Sequence, residues 1–242
     1  MRHKRLVILA AAAVAAALAL WAAARPGQEK EKTMQPAEMP VVRAAVGRKI
    51  TEVQADSRMD FDLRSKNDNS PHVIEQPVVV EYADERLGLR LPPTRFVWIA
   101  QQAGVVTEIE TSPHLEFLSL EEAHALATRL AEQFAASRWN TLGRQPVSLE
   151  RMRAAVADPE RYWTFEQPYG EWASGSLRLE LTLRESGKGV PKELKTEPLF
   201  VVNARFHDRA LREKMEGVVF RAREDVNKDI NQPLPLSYHL PQ

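Results

Sequence analysis

From Leu177 to Arg184, leucine takes every second position, and Arg178, Glu180, Thr182 and Arg184 fill those between. A strand sends successive side chains to opposite faces, so this stretch is a β-strand with one apolar and one wet face. The remaining pattern must supply something to cover the leucines. Val78–Tyr82 is a β-branched run after Pro77, and Arg95–Gln101 and Val105–Thr111 flank Ala103-Gly104, a hairpin turn signal. Leu199–Phe206 makes a fifth strand, and Ser174-Gly175-Ser176 is a turn leading into the Leu177 strand.

Helices are written with equal clarity. Ser119 followed by Glu122 spells a capping box. Leu120, Ala123, Ala127, Leu130 and Phe134 then form one stripe at helical spacing, with Leu126 beside it. A short helix is expected after Ser148 and before Pro159. A third runs from about Asp208 to Arg223, with Leu211, Met215, Val218 and Ala222 inward and Gly217 weakening its middle. The class is α+β: antiparallel sheet with helices packed on one face. No βαβ alternation dominates, which argues against a doubly wound nucleotide-binding domain. Two strand-strand-helix stretches suggest halves at 50–145 and 146–231, and the proline-bearing end, 232–242, reads as an extended tail.

The first 25 residues differ from the rest. Arg2, His3, Lys4 and Arg5 precede an apolar run of 19 residues from Leu6 to Ala24. As a helix that run spans about 28 Å, close to the hydrocarbon thickness of a bilayer. Basic residues before it stay cytoplasmic, so the chain beyond Ala24 is expected to be exported. Two readings are open: a retained anchor with Trp21 at the interface, or a signal peptide cut after Ala22-Ala23-Ala24, a site that Arg25 and Pro26 disfavour. Both place the rest of the chain in a periplasm; the anchor makes it a single-pass inner-membrane protein. Residues 26–49 lack apolar periodicity, carry Gln28-Glu29-Lys30-Glu31-Lys32, Pro36 and Pro40, and read as a tether, with folding from Ile50.

Composition narrows the chemistry. With 33 Lys+Arg against 33 Asp+Glu the formal charge is zero, which is unlike a nucleic-acid binder. Residues 1–25 hold four bases and no acid, so the remainder carries 29 basic and 33 acidic residues, a mildly acidic head that favours basic protein partners over anionic surfaces. Zero cysteines exclude disulfides, a thiol nucleophile and Cys-ligated metals. No GxxxxGK[ST], GxGxxG, GxSxG or HExxH occurs, so no catalytic residue and no cofactor is assigned. His114, Glu116, Glu121 and His124 could gather around the Ser119 cap as a metal site, but an acidic first turn is what any helix prefers. His207-Asp208 similarly reads as a strand end and a cap. No metal ligands are therefore named.

Arg161–Trp172 is the most unusual local composition: Tyr162, Trp163, Phe165, Tyr169 and Trp172 place five of the chain's 17 aromatic residues in twelve positions, broken by Pro168 and Gly170. This is a loop or an irregular strand pair. Its rings either roof the core or form a partner-binding surface, since Tyr and Trp anchors supply hot-spot energy.

The order from Phe96 to Trp139, a hairpin, Pro113 and a capped Leu120-Glu121-Glu122-Ala123 helix behind an N-terminal anchor, resembles proteobacterial envelope proteins, some of them similar to periplasmic immunity partners of type VI secretion toxins. That resemblance covers 44 residues and implies a non-enzymatic protein that binds and blocks an incoming effector. The expected function is a membrane-tethered periplasmic binding protein for another protein. The alternatives are an assembly component of an envelope machine and an envelope hydrolase whose Asp/Glu pair converges only in space.

Overall fold

A computed structural model describes residues 38–59, 71–143, 147–158, 165–186 and 198–225. The apolar run 6–24, Tyr162, Trp163 and the tail 232–242 lie outside them. Among the described residues no helix is long and apolar enough to cross a membrane.

The elements in chain order are β1 (Val41–Ala44), α1 (Ile50–Ser57), β2 (His72–Ile74), β3 (Val79–Tyr82), β4 (Leu89–Arg90), β5 (Val97–Gln102), β6 (Val105–Thr111), α2 (Leu120–Ala135), β7 (Asn140–Thr141), α3 (Leu149–Ala157), β8 (Glu166–Ser174), β9 (Leu177–Glu185), β10 (Phe200–Asp208) and α4 (Arg209–Asp225). Seven strands form one sheet in the order β2-β5-β6-β10-β9-β8-β7, every neighbouring pair antiparallel. A smaller sheet, β1-β3-β4, pairs β1 parallel to β3 and β3 antiparallel to β4. The fold is α+β.

The leucine alternation in β9 does what its period dictates. Leu179, Leu181 and Leu183 are fully buried, and the adjacent β10 buries Phe200, Val202, Ala204 and Phe206 beside them. Helix α2 covers this face, packing on β8, β9 and β10 with its whole expected stripe buried. Its capping box is present in full: the Glu122 N–H donates to Ser119 Oγ at 3.3 Å, and the Ser119 N–H donates to Glu122 Oε2 at 2.9 Å. At the β5–β6 turn, Ala103 and Gly104 both have positive φ (54° and 78°), the requirement of a two-residue type I′ hairpin.

The opposite face of the sheet is charged, with Glu108 and Glu110 of β6, Arg205 and His207 of β10, and Arg178 and Glu180 of β9. Helix α4 lies against this second face: Arg212 Nη1 stands 3.9 Å from Glu108 Oε2, while Val219 and Ala222 bury against Ala103. The expectation of helices on one face thus describes α2, whereas α4 takes the other, where Val219 and Ala222 meet Ala103 and Arg212 meets the charged strand residues.

Two boundaries move. The stretch read as a tether to residue 49 already contains β1, whose Val42 and Ala44 are fully buried; Val79 N–H donates to Pro40 O at 2.9 Å as the parallel pairing begins. The suggested halves 50–145 and 146–231 share one sheet through the β6–β10 pairing and one hydrophobic core from Val42 to Phe206. Tyr82 of β3 stacks on Phe206 of β10 (centroids 4.5 Å, 16°), and Trp139 meets both edge-on, so aromatic rings weld the small sheet to the large one.

Candidate interaction groove

The rings expected at a partner surface have a different position. Phe165, Tyr169 and Trp172 are 7%, 0% and 3% exposed, and Tyr162 and Trp163 lie outside the described residues. Phe165 meets Phe200 edge-on, and Trp172 meets Phe134 edge-on at 5.1 Å. The Tyr169 hydroxyl is 2.9 Å from Thr128 Oγ1 of α2, and burial pushes its phenol pKa up. These three side chains roof the core, since β8 is a continuous strand that absorbs Pro168 and Gly170 at a register shift.

The suggested metal set is divided among four structural tasks. His114 Nδ1 is 2.7 Å from the Glu116 carbonyl, and Arg153 Nε donates to Glu121 Oε1 at 2.9 Å. The Glu116 carboxylate stands 3.5 Å from Arg95 Nη2, and His124 lies edge-on to Tyr169. Asp208 caps α4, accepting from the Leu211 N–H at 2.9 Å. Among the described residues no three His, Asp or Glu side chains gather as a metal site.

Among the described residues two concavities stand out. One, about 340 Å³, lies between the charged sheet face and α4. Its charges are already matched: Arg205 Nε donates to Glu108 Oε1 at 2.5 Å, Arg209 to Glu213 at 2.8 Å and Arg212 to Glu216 at 2.9 Å. His207 Nε2 stands 3.2 Å from Glu180 Oε1. Paired in this way, the groups have little left to gain from a ligand.

The other is an apolar groove of about 440 Å³ between the N-terminus of α2, the C-terminal turn of α3 and the start of β10. Leu120, Val156, Ala157, Pro198, Leu199 and Phe200 line it, and the Glu121–Arg153 ion pair bridges α2 to α3 at its rim. Arg153 holds the Glu121 carboxyl below its ordinary pKa. The wall is an isolated antiparallel bridge: Leu118 N–H donates to Phe200 O at 3.0 Å, and Phe200 N–H to Leu118 O at 2.8 Å. Because side chains alternate along extended chain, Leu118 and Phe200 turn inward while their neighbours Phe117 and Leu199 turn out, 59% and 44% exposed. Beside this bridge, β6 has already turned away at Pro113, and the His114 ring takes the place of its next carbonyl: Val202 N–H donates to His114 Nε2 at 3.2 Å.

Neither Phe117 nor this groove stood out in the sequence. The available signal was the pair Phe117-Leu118 directly before the Ser119 cap, since two consecutive apolar residues in extended chain cannot both face the core. No protein-family model, curated protein or solved structure matches this chain.

Proposed function

We propose that the chain is a membrane-tethered envelope protein whose folded domain captures a protein partner in the groove between α2, α3 and β10. The observation that carries this is Leu199, 44% exposed at the mouth of a largely apolar groove, with the exposed Phe117 on the other strand of the Leu118–Phe200 bridge. A partner side chain seated there would remove their exposed area from water. A large aromatic buries about 150–250 Å², so at about 25 cal/mol per Å² the two residues together would return a few kcal/mol before the costs of association. The occupant is an apolar segment of a protein. Leu, Val, Ala, Pro and Phe make up most of the lining, and the charged groups at the rim, Glu121 and Arg153, are paired with each other.

The basic head and apolar run of residues 2–24 support an inner-membrane anchor with the domain in the periplasm. The resemblance of residues 96–139 supports a secreted toxin as the partner, and immunity as the outcome. The test is co-production of the full chain with a candidate secreted effector targeted to the periplasm. Immunity predicts restored growth and a stoichiometric complex, both lost with Leu199→Asp and weakened by Phe117→Ser. Capture that is indifferent to both substitutions removes the groove from the argument.

A further inference from the structure

His114 joins the loop between β6 and α2 to β10 in a way that only a neutral ring allows. Nδ1 donates to the Glu116 carbonyl and Nε2 accepts from the Val202 N–H. An imidazolium carries a proton on both nitrogens, so Nε2–H would then point at the Val202 N–H, donor against donor. Among the described residues, the carboxylates on the elements packed around the loop are engaged elsewhere. Glu116 turns its carboxylate to Arg95 (3.5 Å), Glu110 of β6 faces Asn203 (3.2 Å) and Arg184 of β9 (4.0 Å), and Glu185 of β9 accepts from the Phe165 N–H. On α2, Glu121 and Glu122 are engaged by Arg153 and Ser119.

We propose that His114 is a proton-sensitive clasp on the groove: acidification releases residues 112–118 from β10, opens the Leu118–Phe200 wall and weakens partner capture, the last step resting on the groove reading. Burial, which already disfavours the charged ring, acts in the same direction. Any partner would then be held firmly near neutrality and let go in an acidified envelope.

The test follows amide deuterium exchange of the full chain in detergent micelles at about pH 7.5 and about pH 5, each rate divided by its intrinsic rate. Protection of the Val202, Leu118 and Phe200 amides should fall about tenfold or more at the lower pH. In His114→Gln, whose amide oxygen can accept the same N–H without titrating, it should stay constant. An equal loss in His114→Gln overturns the clasp. A second measurement needs no variant: ¹⁵N shifts of the native His114 ring should show Nε2 protonation and loss of Val202 protection at the same pH, and a charged ring with Val202 still protected overturns it. Neither readout involves a partner, so intact pH-dependent exchange beside capture that ignores Leu199→Asp would sink the groove and leave the clasp standing.

Discussion

Gly170→Ala offers the most direct test of how β8 is packed. Gly170 does not occupy the left-handed region, so an alanine there meets no backbone penalty and the cost is steric. A Cβ at this position would lie within 3.0 Å of three ring atoms of Trp172. That ring cannot swing aside freely, because it is 3% exposed and its neighbour Phe134, in edge-on contact at 5.1 Å, is fully buried on the inner face of α2. Overpacking of this kind costs about 1–3 kcal/mol. If the indole shifts, about 0.5–1.5 kcal/mol of edge-on aromatic contact goes with it. The expected loss is about 2–4 kcal/mol, a large share of a typical domain's total stability. Urea unfolding of the full chain, followed by tryptophan fluorescence, should show the midpoint falling by about 1 M or more at an m-value of about 2–3 kcal/mol/M. The double-mutant cycle is decisive: in a Trp172→Leu background the added methyl should cost under about 0.5 kcal/mol, giving a coupling of at least about 1.5 kcal/mol. An equal cost in both backgrounds, or no cost in the first, would refute the steric argument.

Three further outcomes concern the ion pairs and the cap of α2. Arg205→Ala leaves Glu108, 4% exposed, with Arg212 at 3.9 Å still beside it, and should cost about 1–3 kcal/mol; Arg205→Met with Glu108→Leu should recover most of it by the same urea midpoint. Ser119→Ala removes the cap of α2 and should lower stability by about 1 kcal/mol in thermal unfolding, with Glu122→Gln adding less than its separate cost because both act on one box. Glu81 accepts from Arg43 Nε at 3.0 Å and also pairs with Arg90; the Arg43 hydrogen bond first, then the Arg90 charge, hold its carboxyl below the ordinary 4.5. The unfolded chain therefore binds the proton first, so this stabilisation is complete above about pH 4.5 and is lost as pH falls through the lower folded value. Glu81→Gln should flatten that acid limb of stability against pH, and an unchanged limb would show that the pair contributes nothing.

What was legible in the sequence was local. The β9 alternation, the Ser119 box and the Ala103-Gly104 turn each declare themselves within a few residues, and each is present as read. The misplaced parts depend on partners far along the chain. β1 looked like tether because Val41–Ala44 is too short to show a period, and it becomes strand by pairing parallel with β3, 38 residues on. Pro168 and Gly170 looked like breaks in the aromatic stretch. They instead mark a register shift, and glycine is there because the Trp172 ring occupies the space a Cβ would need. The candidate site follows the same logic more severely. Phe117 and Leu118 are equivalent in sequence until the bridge to Phe200 decides which one faces out. His114 invited a reading with Glu116, Glu121 and His124 because they are near in sequence, yet its Nε2 is committed to Val202, 88 residues away. A proton on that nitrogen sets two donors against each other, which no arrangement of its sequence neighbours would relieve. A histidine used this way is read from the direction of its ring, and that direction is a property of the fold.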